Sequence, residues 1–235
     1  RTYTDGQGSF EEVIEAAELL QEADVPFNIL SVLNSRTVKQ PKRIVNFFLQ
    51  NDFNHFQFIP AIETVETESG KELAPFSPEP REVGKFLDEV FEKWAEEFPP
   101  GFSVRYFDSL VNVSSGRDPG SCRIDASCGS YLVVEHKGDV YPCDFYVEEG
   151  RKLGNINEDP LQDIASGEDF KKFAEGKVEL TDECKECDFL PYCYGGCQRN
   201  GPEGKSYLCE AYQYFLSRNL EEIKEIASKV GKSSY

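Results

Sequence analysis

Apolar side chains recur at helical spacing three times within the first hundred residues. Val13, Ala16, Ala17 and Leu20 share one face of a segment that Ser9 and Glu12 open in the pattern of a capping box. Pro41 opens a second helix whose inner face carries Ile44, Val45, Phe48 and Leu49. Val83, Phe86, Leu87, Val90, Phe91 and Trp94 stripe a longer helix over 81–98. Between these helices the pattern changes to short continuous apolar runs. Phe27-Asn28-Ile29-Leu30-Ser31-Val32-Leu33 and His55-Phe56-Gln57-Phe58-Ile59 read as buried strands, and residues 61–80 as a solvated loop. Helices alternating with short apolar strands predict βα units on a parallel sheet. Two strands do not complete a sheet, so further units are expected before Arg1; the absence of any methionine agrees with that expectation.

Past residue 110 the alternation breaks down. Tyr131-Leu132-Val133-Val134-Glu135 and Asp139-Val140-Tyr141 flank a turn at Lys137-Gly138 and predict a β-hairpin. Leu161–Ala165 and Phe170–Phe173 read as short helices, and a terminal helix is expected over 206–229. The expected division is 1–110 for the βα units and 111–235 for a second, irregular α+β domain.

Composition narrows the function classes. The 235 residues carry 25 Lys and Arg against 43 Asp and Glu, a formal charge of −18. That charge speaks against tracking nucleic acid, which needs a basic surface, and no apolar run approaches the roughly 18 residues of a membrane span. The 39% hydrophobic and 13% aromatic fractions describe a folded globule.

The chemistry is concentrated in eight cysteines, all from Cys122 onward, beside only two histidines, His55 and His136. The spacings are Cys122-x5-Cys128-x14-Cys143, then Cys184-x2-Cys187-x5-Cys193-x3-Cys197-x11-Cys209. Eight is twice the four-thiolate set of a tetrahedral zinc or an iron–sulfur cluster. A disulfide scaffold fits poorly, because the first half has ample apolar residues and no cysteine. Zinc ribbons use paired Cys-x2-Cys knuckles, and this chain has one such pair. Iron–sulfur clusters accept thiolates from scattered loops, and this third reading fits the spacing best. His55 borders a strand and His136 a turn, and neither has metal-ligand spacing.

Gly138-Asp139-Val140-Tyr141-Pro142-Cys143, together with this cysteine pattern, resembles the SPASM domain of radical S-adenosylmethionine enzymes. Arg105-Tyr106-Phe107-Asp108, Cys143-Asp144-Phe145-Tyr146 and Leu153-Gly154-Asn155-Ile156 narrow the resemblance to the anaerobic sulfatase-maturating enzymes. Arg1 with Gly6-x-Gly8-Ser9-Phe10, and Gln57-Phe58-Ile59-Pro60, resemble late segments of the family's barrel. The resemblance implies an α/β fold: the C-terminal part of a partial TIM-type (βα) barrel followed by the SPASM domain.

It further implies one [4Fe–4S] cluster on Cys122, Cys128, Cys143 and Cys197 and another on Cys184, Cys187, Cys193 and Cys209. S-adenosylmethionine and a third cluster would be held in the whole enzyme by a Cys-x3-Cys-x2-Cys loop, which residues 1–235 lack. This polypeptide alone is therefore not expected to generate the radical. The implied reaction converts a sulfatase cysteine or serine to Cα-formylglycine. A β-hydrogen is abstracted, a base takes the thiol or hydroxyl proton, and an electron leaves through the auxiliary clusters. Asp144 matches the family's base, the competing reading being a cap on the turn after Cys143. Arg1 matches an arginine that pairs with the S-adenosylmethionine carboxylate, and Ile62 an apolar contact to adenine. The implied partners are a sulfatase polypeptide and an electron carrier such as flavodoxin or ferredoxin, in the cytoplasm. Other peptide-modifying SPASM enzymes, or a non-catalytic electron-transfer or peptide-binding module, are the competing readings.

Overall fold

The computed structural model describes residues 3, 5–96, 101–175, 177, 180–201 and 204–232, the last two without their side chains. Helix α1 (Phe10–Glu22) leads to strand β1 (Ile29–Leu33), α2 (Pro41–Gln50) and β2 (His55–Pro60). The capping box does not form. Ser9 sits at φ −101°, ψ 17° and makes no side-chain capping bond; outside the extended region, its hydroxyl is not aimed at the free N–H groups of the first turn. Pro41 does occupy the first turn of α2, where its missing N–H is of no consequence.

Strands β1 and β2 pair in parallel from Ile29↔Phe56 to Leu33↔Pro60. A third parallel strand, β5 (Ser103–Val104), pairs with the start of β2 and runs directly into α4 (Arg105–Ser114). Two residues are too short for a periodicity signal, which is why the sequence shows two strands and the sheet has three. The expected loop over 61–80 contains an exposed hairpin, β3 (Thr64–Thr67) with β4 (Gly70–Leu73). Strand β1 is buried on one face only: Leu33 is fully buried, whereas Leu30 is 62% and Val32 51% exposed. The second face of the sheet is thus open to the site described below.

Helix α3 (Pro80–Ala95) buries the whole expected stripe from Val83 to Trp94. Residues 97 and 98 of the expected range lie outside the described residues. The second half of the chain contributes a three-stranded antiparallel sheet, β6 (Val133–Val134), β7 (Asp139–Tyr141) and β8 (Gly154–Asn155). Short helices α5 (Leu161–Ser166), α6 (Glu168–Glu175) and α7 (Asp182–Lys185) follow, and α8 (Cys209–Lys232) closes the chain.

Helix α8 crosses back over α3 and α4, so that one hydrophobic core draws on both halves of the chain. Phe215 stacks on Phe107 at 5.5 Å and meets Phe91 edge-on at 5.5 Å. The crossing is close because Gly84 has no side chain: a Cβ there would stand 3.0 Å from Tyr214 Cδ1 and 3.1 Å from the Ala211 carbonyl. Within this contact the buried Asp88 carboxylate accepts from Arg218 Nε at 2.8 Å and Asn219 Nδ2 at 2.7 Å, so a charge in the core is paired. Among the described residues no helix is long and apolar enough to cross a membrane.

Candidate functional site

All eight cysteines are free thiols. Cys122, Cys128, Cys143 and Cys197 line one cavity, against Leu30, Gln57 and Ile59 on the open face of the sheet. Cys184, Cys187, Cys193 and Cys209 line a second, smaller and more apolar cavity. Each set is gathered from separated segments. Cys122 and Cys128 lie in the loop after α4, Cys143 follows β7, and Cys197 precedes a short 3-10 turn. In the second set, Thr181 Oγ1 accepts from the Cys184 amide at 3.3 Å to start α7, and Cys209 begins α8.

Only three residues separate Cys193 from Cys197, yet they face different cavities. The backbone reverses between them because Tyr194, Gly195 and Gly196 all have positive φ, at 41°, 73° and 75°. The glycines are required twice over. A Cβ at Gly195 would come within 2.6 Å of Leu180 Cδ2, and one at Gly196 within 2.9 Å of Ser206 Cβ.

Burial disfavours the thiolate at five of the eight cysteines. It pushes Cys128 and Cys193 each up to about 11 and raises Cys122, Cys143 and Cys209. Within each set the thiols also raise one another: Cys197 acts on Cys122, and Cys187, Cys209 and Cys184 act on Cys193. Such a set is stable as thiols and becomes a thiolate set when a cationic group displaces the protons. Among the described residues no three His, Cys, Asp or Glu side chains converge as a single metal ion requires. Tetrahedral zinc, with Zn–S near 2.3 Å, needs sulfurs about 3.8 Å apart. A four-iron cube takes one thiolate on each of four irons, and each cavity supplies four thiols.

Asp144 shares the first cavity. Tyr131 Oη donates to Asp144 Oδ1 at 2.5 Å and lies 3.4 Å from Cys143 Sγ. Burial first, then the neighbouring Asp144 and Cys143, hold the Tyr131 phenol well above its ordinary range, so it stays a donor. Gln198 Nε2 donates to Cys128 Sγ at 3.4 Å, and Arg105 donates to the Gly120 carbonyl at 2.7 Å and to Gln57 Oε1 at 3.4 Å. Ile62 lies just after β2, partly buried against the hydrophobic core. Arg1 lies outside the described residues. His136 is 80% exposed at its side chain, and neither histidine joins a cysteine cavity.

Sequence reasoning missed Tyr131, Gln57 and Arg123 as site residues. Gln57 carried a signal, being a polar residue between Phe56 and Phe58 of β2. Tyr131 and Arg123 carried none, because their places depend on loop paths.

Comparison with known proteins agrees with this geometry. The family model SPASM, an iron–sulfur cluster-binding domain, matches residues 126–188. The chain is 33% identical, over 96% of its length, to the cysteine-type anaerobic sulfatase-maturating enzyme of Clostridium perfringens (strain 13 / Type A), of which it covers 62%. It is 36% identical, over 89% of its length, to the serine-type enzyme of Bacteroides thetaiotaomicron, of which it covers 56%. The solved structure of native anSMEcpe with bound AdoMet and Cp18Cys peptide matches at a TM-score of 0.86 and 32% identity, over 98% of this chain and 65% of that one. The chain is an α/β protein whose residues 126–188 match an iron–sulfur cluster-binding domain of the SPASM type. More narrowly, the chain is similar to the anaerobic sulfatase-maturating enzymes and spans about three fifths of the length of the relatives it matches.

Proposed function

We propose that this chain works as part of a radical S-adenosylmethionine oxidoreductase that converts a sulfatase cysteine or serine to Cα-formylglycine. The observation that carries the reading is the sorting of eight free cysteines into two sets of four, one of which shares its cavity with Asp144 and the open face of the sheet. Cys122, Cys128, Cys143 and Cys197 would hold one [4Fe–4S] cluster, and Cys184, Cys187, Cys193 and Cys209 the other. When bound, S-adenosylmethionine with its own cluster supplies the radical that removes a β-hydrogen, and the two clusters of this chain carry an electron away.

The remaining work falls to side chains. Asp144 takes the thiol or hydroxyl proton of the substrate residue at a carboxylate oxygen, and Tyr131 keeps that carboxylate oriented by donating to Oδ1. Leu30 and Ile59 give the cavity an apolar wall that keeps water away from the reacting group. Ile62 would contact adenine and Arg1 the S-adenosylmethionine carboxylate. The substrate is a sulfatase polypeptide, and the electron passes to a carrier such as flavodoxin or ferredoxin. The oxygen sensitivity of the clusters favours the cytoplasm.

The test is anaerobic incubation of the full-length protein with S-adenosylmethionine, a reductant and sulfatase peptides bearing cysteine or serine at the target. Mass spectrometry should find a hydrazide-reactive aldehyde at that residue, and Asp144→Asn should abolish it. Cleavage of S-adenosylmethionine with peptide left unmodified, or with a crosslink in place of the aldehyde, would overturn the assignment.

A further inference from the structure

The two cysteine cavities differ in the charge that faces them. Arg105, Arg123 and Asp144 line the first, and Lys177 acts on Cys128, Cys122 and Cys197 from a half-buried position. Neither arginine has a carboxylate partner among the described residues. Two guanidinium groups, charged at any working pH, therefore stand against the single carboxylate of Asp144. The second cavity is lined by Glu183, and Lys205, the cation beside it, binds both Glu183 oxygens at 2.6 and 2.7 Å. Its local charges cancel.

Whereas Arg105 is exposed, Arg123 is half-buried. It faces the first cavity and also a small inner cavity with Tyr106 and Tyr212. Tyr106 Oη is buried there without a hydrogen-bond partner, and Tyr212 borders the second cysteine cavity on its other side. The guanidinium acts on Cys122 and on Tyr212, favouring the anionic form of each.

We propose that Arg123 raises the reduction potential of the centre held by Cys122, Cys128, Cys143 and Cys197 above that of the centre held by Cys184, Cys187, Cys193 and Cys209. This rests on the ligand sets of the proposed function. A cluster capped by four thiolates is anionic and gains one more negative charge on reduction, so a fixed cation favours the reduced form and a carboxylate the oxidised form. The centre that shares its cavity with Asp144 is then the electron sink. Onward transfer is driven by the external carrier rather than by a downhill step inside the chain.

The test is an anaerobic redox titration, followed by electron paramagnetic resonance, of the reconstituted protein and its Arg123→Gln, Arg123→Lys and Glu183→Gln variants. The parent should show two separate midpoints. Arg123→Gln should lower only the upper one, shifting its reduced-to-oxidised ratio on the order of tenfold, about 59 mV for a one-electron couple. Arg123→Lys should retain most of the separation. Glu183→Gln should raise only the lower midpoint, and it tests the charge argument even if Arg123→Gln fails to fold. Coincident midpoints in the parent, an Arg123→Gln protein with both midpoints unmoved, or both variants acting on one signal would overturn the inference. A protein that binds no iron would instead defeat the ligand assignment on which it rests.

Discussion

Tyr131 and Asp144, thirteen positions apart in the chain, meet at the lip of the first cysteine cavity, the phenol donating to Asp144 Oδ1. The same phenol stands 3.4 Å from Cys143 Sγ. One hydroxyl therefore ties the candidate base to a candidate cluster ligand. Removing it in Tyr131→Phe takes away one hydrogen bond to a charged group, worth about 1.5 kcal/mol, or roughly tenfold in rate. Single-turnover kinetics of the full-length enzyme should show that fall in the chemical step, with iron content and peptide affinity unchanged. An equal fall in iron content would assign Tyr131 to cluster retention instead.

The two cysteine sets should behave independently. Cys128→Ala and Cys187→Ala are each expected to halve the iron of the reconstituted protein, from about eight to about four. The double variant should lose nearly all of it. Iron analysis beside circular dichroism separates this outcome from misfolding.

Phe215 couples the C-terminal helix to α3 and α4 through Phe91 and Phe107. Phe215→Ala leaves a cavity where three rings met and should cost about 3–5 kcal/mol. Asp88→Ala should cost about 2 kcal/mol, because Arg218 and the buried Asn219 each lose a hydrogen bond to the carboxylate while Asn219 keeps the Phe215 carbonyl. Denaturant unfolding measures both.

Asp108 supplies a pH dependence whose sign is fixed. Burial raises its carboxyl, with the hydrogen bond from Ser103 and the charge of His55 pulling partly back. A carboxyl raised on folding lowers stability once it ionises, so the penalty is absent below its ordinary 3.8 and grows as pH rises through the folded value. Asp108→Asn removes that penalty while keeping an acceptor for Ser103, whose hydroxyl lies 2.5 Å from the Asp108 carboxylate. The stability gained by the variant, read from unfolding curves started below pH 3.8, should grow as pH rises above 3.8 and then level off.

What could be read in advance follows from the physics of each element. The stripe on α3 was legible because six large apolar residues at helical spacing admit one burial pattern, and all six are buried. Strands β5 and β8 were not, since each has two residues and exists only through its partner. The run from Phe27 to Leu33 suggested burial on both faces, yet Leu30 and Val32 turn toward the site side. Composition marks apolar residues and does not say what covers them. Cysteine spacing marked thiolate chemistry, but it could not divide the eight. That division hangs on positive φ at three consecutive residues between Cys193 and Cys197, and Gly195-Gly196 was the available hint.

The central claim is that the eight cysteines hold two iron–sulfur clusters. Iron, sulfide and zinc analysis after anaerobic reconstitution, with electron paramagnetic resonance of the dithionite-reduced protein, tests it directly. About eight irons and eight sulfides per chain with reducible signals is the predicted result. One or two zinc ions, with no iron retained after reconstitution, would contradict it.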